Sequence, residues 1–492
     1  MSEHVEGLNR NQTVLFPDTL EGYVDKENPV RFIDAFVDSL NLEKLGFKHS
    51  IPNDLGRPSY NPSDLLKLYV YGYLNQVRSS RKLERECHRN VEVMWLIRKL
   101  TPDFKTIADF RKDNVDYVKD VFKEFVKLCM GLDLYGAQLV AVDGVKFKAV
   151  NSIDNNYNRK NLAYRLRVID ERVSKYIKEM EEEDRKEEKG ESKQADLLEE
   201  KVKKLLKRKD EYNEILSKLK ESNQNEVSLI DSDSRLMKNR SVIEPCYNSH
   251  VAVDAKNHLI ADYNVTNSPN DNSQLSAIAI SAKETLGAAK LDAVGDKGFF
   301  NFVEIKKCVD NGVTPYVPEQ NRYGVGFVKR MGIPTRDFHC DRFVYDGKTD
   351  TFLCPAGKTL VMSYVDRAHE KNIRVYRTGE CFECGFFLKK CTRNKHGRTL
   401  WRWEHAEVLD EMRERMMREP EKLASRKRIV EHPFGTMKRA FNQGYLLLKG
   451  LGKVVGEVGF TMLAYNMRRV LNILGPGLMK AFLVVSLREK RK

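Results

Sequence analysis

The chain has 492 residues with 41% hydrophobic side chains, enough for two to four domains and a large core of ordinary globular composition. Lys and Arg number 85 against 71 Asp and Glu, a net of +14, which favours a polyanionic partner. The N-terminal MSEHVEGLNRNQ lacks an apolar core and a cleavage site, and no run of about 18 apolar residues follows, so neither a secretory leader nor a membrane span is expected. Nine cysteines, an odd number in a chain without a leader, point to a reducing, cytoplasmic setting and away from a disulfide framework.

Residues 28 to 135 read as helices. NPSDLLKLYVYGYLNQV opens on the cap candidates Asn61 and Ser63, then places Leu65, Leu66, Tyr69, Tyr73 and Leu74 at helical spacing. A second helix is expected over RKLERECHRNVEVMWLIRKL, and a third from near Thr106 through IADFRKDNVDYVKDVFKEFVKLCM. The short SSR link at 79 to 81 permits a helix-turn-helix-like arrangement, and an ordinary helical bundle explains it equally well.

At 137 the texture changes. AQLVAVDG is a short β-branched run read as ending at Asp143. SHVAVDAKNHLIADYNVT reads as two strands joined by a tight turn, NDNSQLSAIAISAKETLG as a helix, and AKLDAVGDKG as a strand ending at Asp296. NFVEIKKCVDNG is a helix closed by Gly312, and VTPYVP is a strand. This order suits an α/β architecture, a mixed sheet covered by helices as in the ribonuclease H-like fold. In open sheets functional groups gather at the carboxyl ends of strands, where this reading puts Asp143 and Asp296.

Two segments interrupt the pattern. Residues 165 to 226 hold 35 charged side chains in 62. Leu166, Ile169, Val173, Ile177 and Met180 form one apolar stripe, Leu198, Leu205, Tyr212 and Leu219 another, with Gly190 between them, so an antiparallel helical hairpin is expected. The second, about 336 to 400, is a Cys-containing β-rich insertion. Cys381 and Cys384 have metal-ligand spacing, and Cys354 and Cys391 could complete a four-thiolate Zn²⁺ site; buried free thiols are the alternative.

The remainder, 401 to 475, returns to the core and precedes a basic tail at 476 to 492. From Lys422 onward 15 Lys or Arg stand against 3 Asp or Glu, whereas residues 1 to 135 carry 20 against 21. A basic concentration of this kind neutralises phosphates and releases counterions, although a solvated tail has the same composition. In EPEKLASRKRIVEHPFGTMKRAFNQGY, Pro420 suits a helix start. Pro433 either distorts that helix just after Glu431 or marks its true beginning.

Phosphoryl transfer on DNA has to neutralise developing charge and activate a water or 3′-hydroxyl, and two Mg²⁺ ions held by carboxylates do both. Asp143, Asp296 and Glu431 fit that role. Arg426, Arg428, Lys438, Arg439 and Lys297 are candidates to grip the neighbouring phosphates. With 71 acidic residues to choose from, the contexts decide. VAVDG, AVGDKGF and RKRIVEHPFGTMKR resemble the transposases of bacterial insertion sequences in the DDE superfamily. PDFKTIADFRKDN and LFPDTLEGYVDKENPVRFIDAFVDSL resemble that family's N-terminal domain, here 1 to 135. DSDSRLM and CYNSHVAVDAKNHLIADYNVTNSPND resemble the first half of its catalytic core, here 136 to 335.

The resemblance implies that Asp143, Asp296 and Glu431 are catalytic and metal-binding, and that Lys438 is the lysine of the family's tyrosine–arginine–glutamate–lysine signature. The chain departs from that signature with Lys427 in the arginine's place and Ala424 in the tyrosine's, leaving Arg426 or Arg428 to supply the guanidinium. It further implies Mg²⁺ or Mn²⁺, binding to terminal inverted repeats and target DNA, a homodimer or higher multimer, and a place in the bacterial cytoplasm beside the nucleoid. A DNA-binding descendant without catalysis and a simple metal-dependent nuclease are the competing classes.

Smaller features have two readings each. Asp231, Asp233 and Arg235 could line the site or form a polar turn. Asn267, Asn270 and Asp271 could approach DNA, with a helix cap at Asn270 or Asp271 the simpler account. His250 and His432 are assigned no role. Trp401 and Trp403 could stack on bases, with core packing the expected use.

Overall fold

The computed structural model describes residues 19–51, 58–187, 195–221, 226–319, 334–367, 372–437, 441 and 444–475. Its first part is helical: α1 (Leu20–Tyr23), α2 (Pro29–Asp38), α3 (Pro62–Leu74), α4 (Ser80–Arg89), α5 (Val91–Leu96), α6 (Phe104–Asn114) and α7 (Val118–Gly131). The starts follow local chemistry. Asn28, Asn61 and Asp103 each accept a backbone N–H of the first turn, and Pro29 and Pro62 occupy first-turn positions where no N–H is needed.

Two expected helices are each broken. Asn90 takes an extended backbone and uses its side chain to cap the next helix, separating α4 from α5. A 3-10 turn at Val115–Tyr117 separates α6 from α7.

The sheet begins with β1 (Leu139–Lys148). Asp143 therefore lies in the middle of a ten-residue strand, not at its end. The strand continues because Val145 and Phe147 keep an inward alternation with Lys146 and Lys148. A short ribbon of β2 (Asn156–Asn158) and β3 (Glu226–Ser228) then carries the two long helices α8 (Arg159–Glu187) and α9 (Ala195–Glu221). These run antiparallel, as the contacts Arg159 to Leu219, Arg165 to Tyr212 and Asp170 to Lys209 require. The hairpin is thus present, starting at 159 rather than 165; Gly190 lies outside the described residues. Its interior is a separate cluster that includes Leu162, Ile169, Tyr212 and Leu219.

The core resumes with β4 (Arg235–Asn239), β5 (Val242–Asp254), β6 (Ile260–Thr266), α10 (Leu275–Thr285), β7 (Leu291–Val294), α11 (Phe302–Asp310) and β8 (Val313–Tyr316). The spatial order is β4-β5-β1-β7-β8, with β6 also paired to β5. β5 runs antiparallel to β1 and β6, while β7 is parallel to β1 and to β8. The mixed sheet expected from the element order is therefore present.

The cysteine insertion is a second, antiparallel sheet in the order β13-β12-β11-β10-β9, formed by β9 (Val344–Asp346), β10 (Thr351–Leu353), β11 (Thr359–Asp366), β12 (Ile373–Arg377) and β13 (Leu400–Trp403). Trp401 and Trp403 thus belong to this sheet. Trp403 packs on Phe302, but Trp401 is 66% exposed, against the expectation that it would be buried.

The chain then forms α12 (Ala406–Arg418), α13 (Pro420–Gly435) and α14 (Leu451–Leu474). Helix α13 starts at Pro420 and passes through Pro433, so the proline is not its beginning. Among the described residues no helix is long and apolar enough to cross a membrane.

Helix α14 joins the two halves. One continuous apolar core contains α14 side chains such as Val458, Phe460 and Met467 together with Phe36, Tyr69 and Phe122 of the N-terminal helices and Val140, Val251 and Tyr263 of the sheet. Phe460 stacks on Tyr69 and Tyr73 at centroid distances of 5.5 and 5.0 Å. Contact is close because two α14 residues lack side chains. A Cβ at Gly456 would lie 2.0 Å from the Val115 carbonyl oxygen, and one at Gly459 2.3 Å from the Tyr263 hydroxyl.

The start of α14 is fixed by the turn before β4. Asp231 accepts the Gly450 N–H at 3.1 Å and the Tyr247 hydroxyl at 2.7 Å, and Asp233 accepts the Leu451 N–H at 2.8 Å. These contacts give both aspartates a structural use, which the polar-turn alternative expects. Gly456→Ala should lower the unfolding free energy by about 1–3 kcal/mol, since the obstruction is backbone and the helix must shift. Urea unfolding checks this, and a variant as stable as the parent would contradict the packing described.

Candidate active site

The last registered pair of the parallel strands β1 and β7 is Ala141 with Val294. Asp143 and Asp296 each lie two residues beyond it, so Asp143, within β1, and Asp296, just past the end of β7, stand at one level. They are close enough to repel. Each is held by its own backbone: Asp143 accepts the Gly144 N–H at 2.8 Å, and Asp296 accepts the Gly298 N–H at 2.7 Å as the cap of a 3-10 turn at Lys297–Phe299. Burial pushes the Asp143 carboxyl above its ordinary value. Arg426 and the Gly144 N–H oppose this, and Asp296 adds to it.

Helix α13 crosses these strands. At its first turn Lys422 donates to Asp292 of β7 at 2.7 Å and to the Tyr316 hydroxyl of β8 at 3.0 Å. One turn later Arg426 donates to Asp143 at 2.9 Å. Ile429, Val430 and Pro433 continue the buried face. Lys427, Arg428 and Glu431 lie on the opposite, exposed face. Glu431 is 64% exposed and pairs with Lys427 at 3.5 Å.

Asp143, Asp296 and Arg426 are thus brought together, whereas Glu431 stands on the same helix turned to solvent. Lys297 is exposed beside Asp296, and Arg428 is exposed. Lys438, Arg439 and the basic tail lie outside the described residues.

Asp271 is a functional candidate that the sequence reading passed over in favour of a helix cap. The residue before α10 is Gln274, and it makes no side-chain cap bond. The Asp271 carboxylate is instead turned into the sheet, accepting Asn248 Nδ2 at 2.7 Å and facing His250 Nε2 at 2.9 Å. Hydrogen bonds from His250 and Asn248 hold its carboxyl below the ordinary value in spite of burial. The legible signal was the alternation of Asn248 and His250 on one face of β5, opposite Lys146 and Gly144 of β1.

His432 has a different setting. Its ring lies 2.8 Å from the Tyr465 hydroxyl, and that hydroxyl donates to the His258 carbonyl. It ties α13 to α14.

In the insertion, Cys354, Cys381, Cys384 and Cys391 line one small cavity with Phe338, Phe343 and Leu360. The Cys354 and Cys381 sulfurs accept backbone N–H groups from Lys358 at 3.2 Å and Arg398 at 3.5 Å. Burial pushes the Cys391 thiol up to about 11, with Arg398 opposing and the other three sulfurs adding. Among the described residues no group of three or more His, Cys, Asp or Glu is arranged to hold a metal ion. At the acidic centre each carboxylate is turned to its own partner, Asp143 to Arg426, Asp296 to Gly298 and Asp271 to Asn248. Gathering them on one ion requires side-chain rotation. The donor set itself, hard carboxylate oxygens with a guanidinium beside them, suits a divalent cation and a phosphate.

Arg426→Ala leaves the half-buried Asp143 carboxylate without its cation. The variant should lose about 1–3 kcal/mol of stability at neutral pH. A raised carboxyl stabilises most below its ordinary range and loses that contribution as pH rises. Removing Arg426 raises Asp143 further, so the difference between variant and parent should narrow on acidification. Thermal unfolding at several pH values checks both, and a pH-independent difference would contradict the pairing.

A family model described as a transposase domain (DUF772) matches residues 18–113, and one described as a transposase DDE domain matches residues 353–471. The second spans the cysteines, Arg426, Arg428 and Glu431; Asp143 and Asp296 lie between the two matches. No curated protein matches the chain. Among solved structures it is similar to a cryo-EM structure of the piggyBac transposase synaptic complex with hairpin DNA, at 9% identity and a TM-score of 0.29 over 95% of this chain and 82% of that one, a likeness too distant to argue from. The two family matches, one over the N-terminal helices and one over the insertion and the helices after it, show that the chain carries transposase domains, the second of the DDE class.

Proposed function

We propose that this transposase cuts element ends and joins them to target DNA at a centre built from Asp143, Asp296 and Glu431. The observation that carries the proposal is that the parallel pairing of β1 and β7 sets Asp143, within β1, level with Asp296, just past the end of β7, with the basic helix α13 laid across them. The strand order β6-β5-β1-β7-β8, antiparallel at one side and parallel at the other, supports a ribonuclease H-like core.

Mg²⁺ or Mn²⁺ held by these carboxylates would stabilise charge on the phosphoryl group and activate the attacking water or 3′-hydroxyl. Asp143 would supply oxygens from within β1 and Asp296 from the turn that follows β7. Glu431 would join them from α13, which requires it to leave Lys427 and turn from the exposed face of that helix towards the strands. Arg426 holds Asp143 by a bond that a cation would compete for; a guanidinium released from it faces the same mouth and can take a phosphate oxygen. Exposed Lys297 stands beside Asp296 and would grip the strand by charge, as would Arg428, Lys438 and Arg439. The N-terminal helices contact the terminal inverted repeats, and paired ends call for a homodimer or larger multimer working beside the nucleoid.

Asp143→Asn, Asp296→Asn and Glu431→Gln should each lower Mg²⁺-dependent cleavage of an end-bearing plasmid by about 100-fold or more, leaving end binding in gel shifts within about twofold. Any one of them that cleaves like the parent removes that residue from the centre. Cleavage without joining to a second duplex would favour a nuclease.

A structural Zn²⁺ in the insertion belongs to the same reading. Four thiols around one cavity, two of them accepting backbone N–H groups, support it. Elemental analysis of the purified chain should give about one zinc per molecule. The double variant Cys381→Ser, Cys384→Ser should lose it. A metal-free parent would sink the assignment.

A further inference from the structure

We propose that Asp271 is a further carboxylate of the catalytic centre, a ligand to divalent cation alongside Asp143 and Asp296. The proposal rests on reading those two aspartates as the cation site.

Asp271 belongs to the link between β6 and α10, far in sequence from both, yet its carboxylate stands between the backbones that follow them. A Cβ added at Gly144, the residue after Asp143, would lie 3.2 Å from Asp271 Oδ1. One added at Gly298, two residues after Asp296, would lie 3.7 Å from Asp271 Oδ2. The carboxylate therefore occupies the space that side chains at 144 and 298 would fill, with one oxygen towards each aspartate's own turn. Glycine at both positions is what lets it approach.

The partners of Asp271 are those of a carboxylate set in place. Asn248 is 1% exposed and His250 is fully buried, both on β5, and both direct a nitrogen at Asp271. His250 packs edge-on against Phe299, part of the turn capped by Asp296, at a centroid distance of 5.9 Å. Burying an amide and an imidazole to hold one carboxylate is costly unless their polar atoms are used. They are not all used: Asn248 Oδ1 and His250 Nδ1 are buried without a hydrogen-bond partner. Asn248 Oδ1 would lie 3.3 Å from a Cβ at Gly144, so the unsatisfied oxygen looks into the same space as Asp271. A helix start does not explain this arrangement, because Asp271 does not cap α10 with its side chain. Ligand carboxylates are commonly fixed by outer hydrogen bonds of this kind, and removal of such a partner weakens metal binding about 10–100-fold.

The test is Mn²⁺ titration of the purified full-length chain without DNA, followed by isothermal calorimetry and by the Mn²⁺ spin-resonance signal. Asp271→Asn should weaken Mn²⁺ about tenfold or more, and Asn248→Ala, which leaves the carboxylate but loses its donor, by a smaller factor in the same direction. Asp143→Asn is the control for the site itself. If Asp143→Asn weakens Mn²⁺ and folded Asp271→Asn binds as the parent does, the inference about Asp271 is overturned and the site reading stands. If Asp143→Asn has no effect, the site reading falls and takes this inference with it. Should Asp271→Asn fail to fold, parental affinity in Asn248→Ala is the overturning result.

Discussion

The parallel pairing of β1 with β7 is the constraint on which the molecule depends. It sets Ala141 against Val294, and from that register the two aspartates follow at one level although 153 positions separate them in the chain. Because side chains alternate along a strand, a slip of one residue would send one carboxylate into the core. The register is held from both sides. β5 pairs with β1 along Val140 to Lys148, and β8 pairs with β7 along its whole length. Asp143 is thereby fixed within the central strand of the sheet, and Asp296 in the turn that leaves the neighbouring strand.

The second element is the strap formed by α13. Its charged inner face meets one partner per strand: Lys422 meets Asp292 of β7, and Arg426 meets Asp143 of β1. Spaced one turn apart, these pairs set the helix axis across the two strands and decide which face is outward. That outward face carries Lys427, Arg428 and Glu431. Basic residues and the Glu431 carboxylate thus share one exposed helix face, an arrangement that suits the proposed grip on a polyanion. The like charges at Asp143, Asp296 and Asp271 are costly in isolation, and their hydrogen bonds to Gly144, Gly298, Asn248 and His250 offset part of that cost. The large remaining core, knitted by α14 through Gly456 and Gly459, supplies the rest.

Much of this was legible in the sequence, and the exceptions have physical causes. The order of strands and helices from 137 to 316 follows from period-2 and period-3.6 patterns, and the hairpin from its two stripes. The end of β1 was misplaced because Gly144 reads as punctuation, whereas its missing side chain serves a close approach by Asp271. The break at Asn90 was hidden because the apolar spacing persists on both sides of it; only the cap chemistry marks the stop. The orientation of Glu431 follows from which of several basic residues finds an acidic partner on the sheet, a tertiary fact that helical spacing cannot supply. Asp271 was passed over because Asn and Asp before a helix are ordinary capping residues, and its partners lie some twenty residues away on another strand.

The central claim is that Asp143 and Asp296 share one cation. A crystal structure of the protein with Mn²⁺, read through the metal's anomalous signal, tests it most directly. The account predicts an anomalous peak in direct contact with a carboxylate oxygen of each aspartate. A peak elsewhere, or a structure in which the two carboxylates point away from a common centre with Mn²⁺ present, would contradict it.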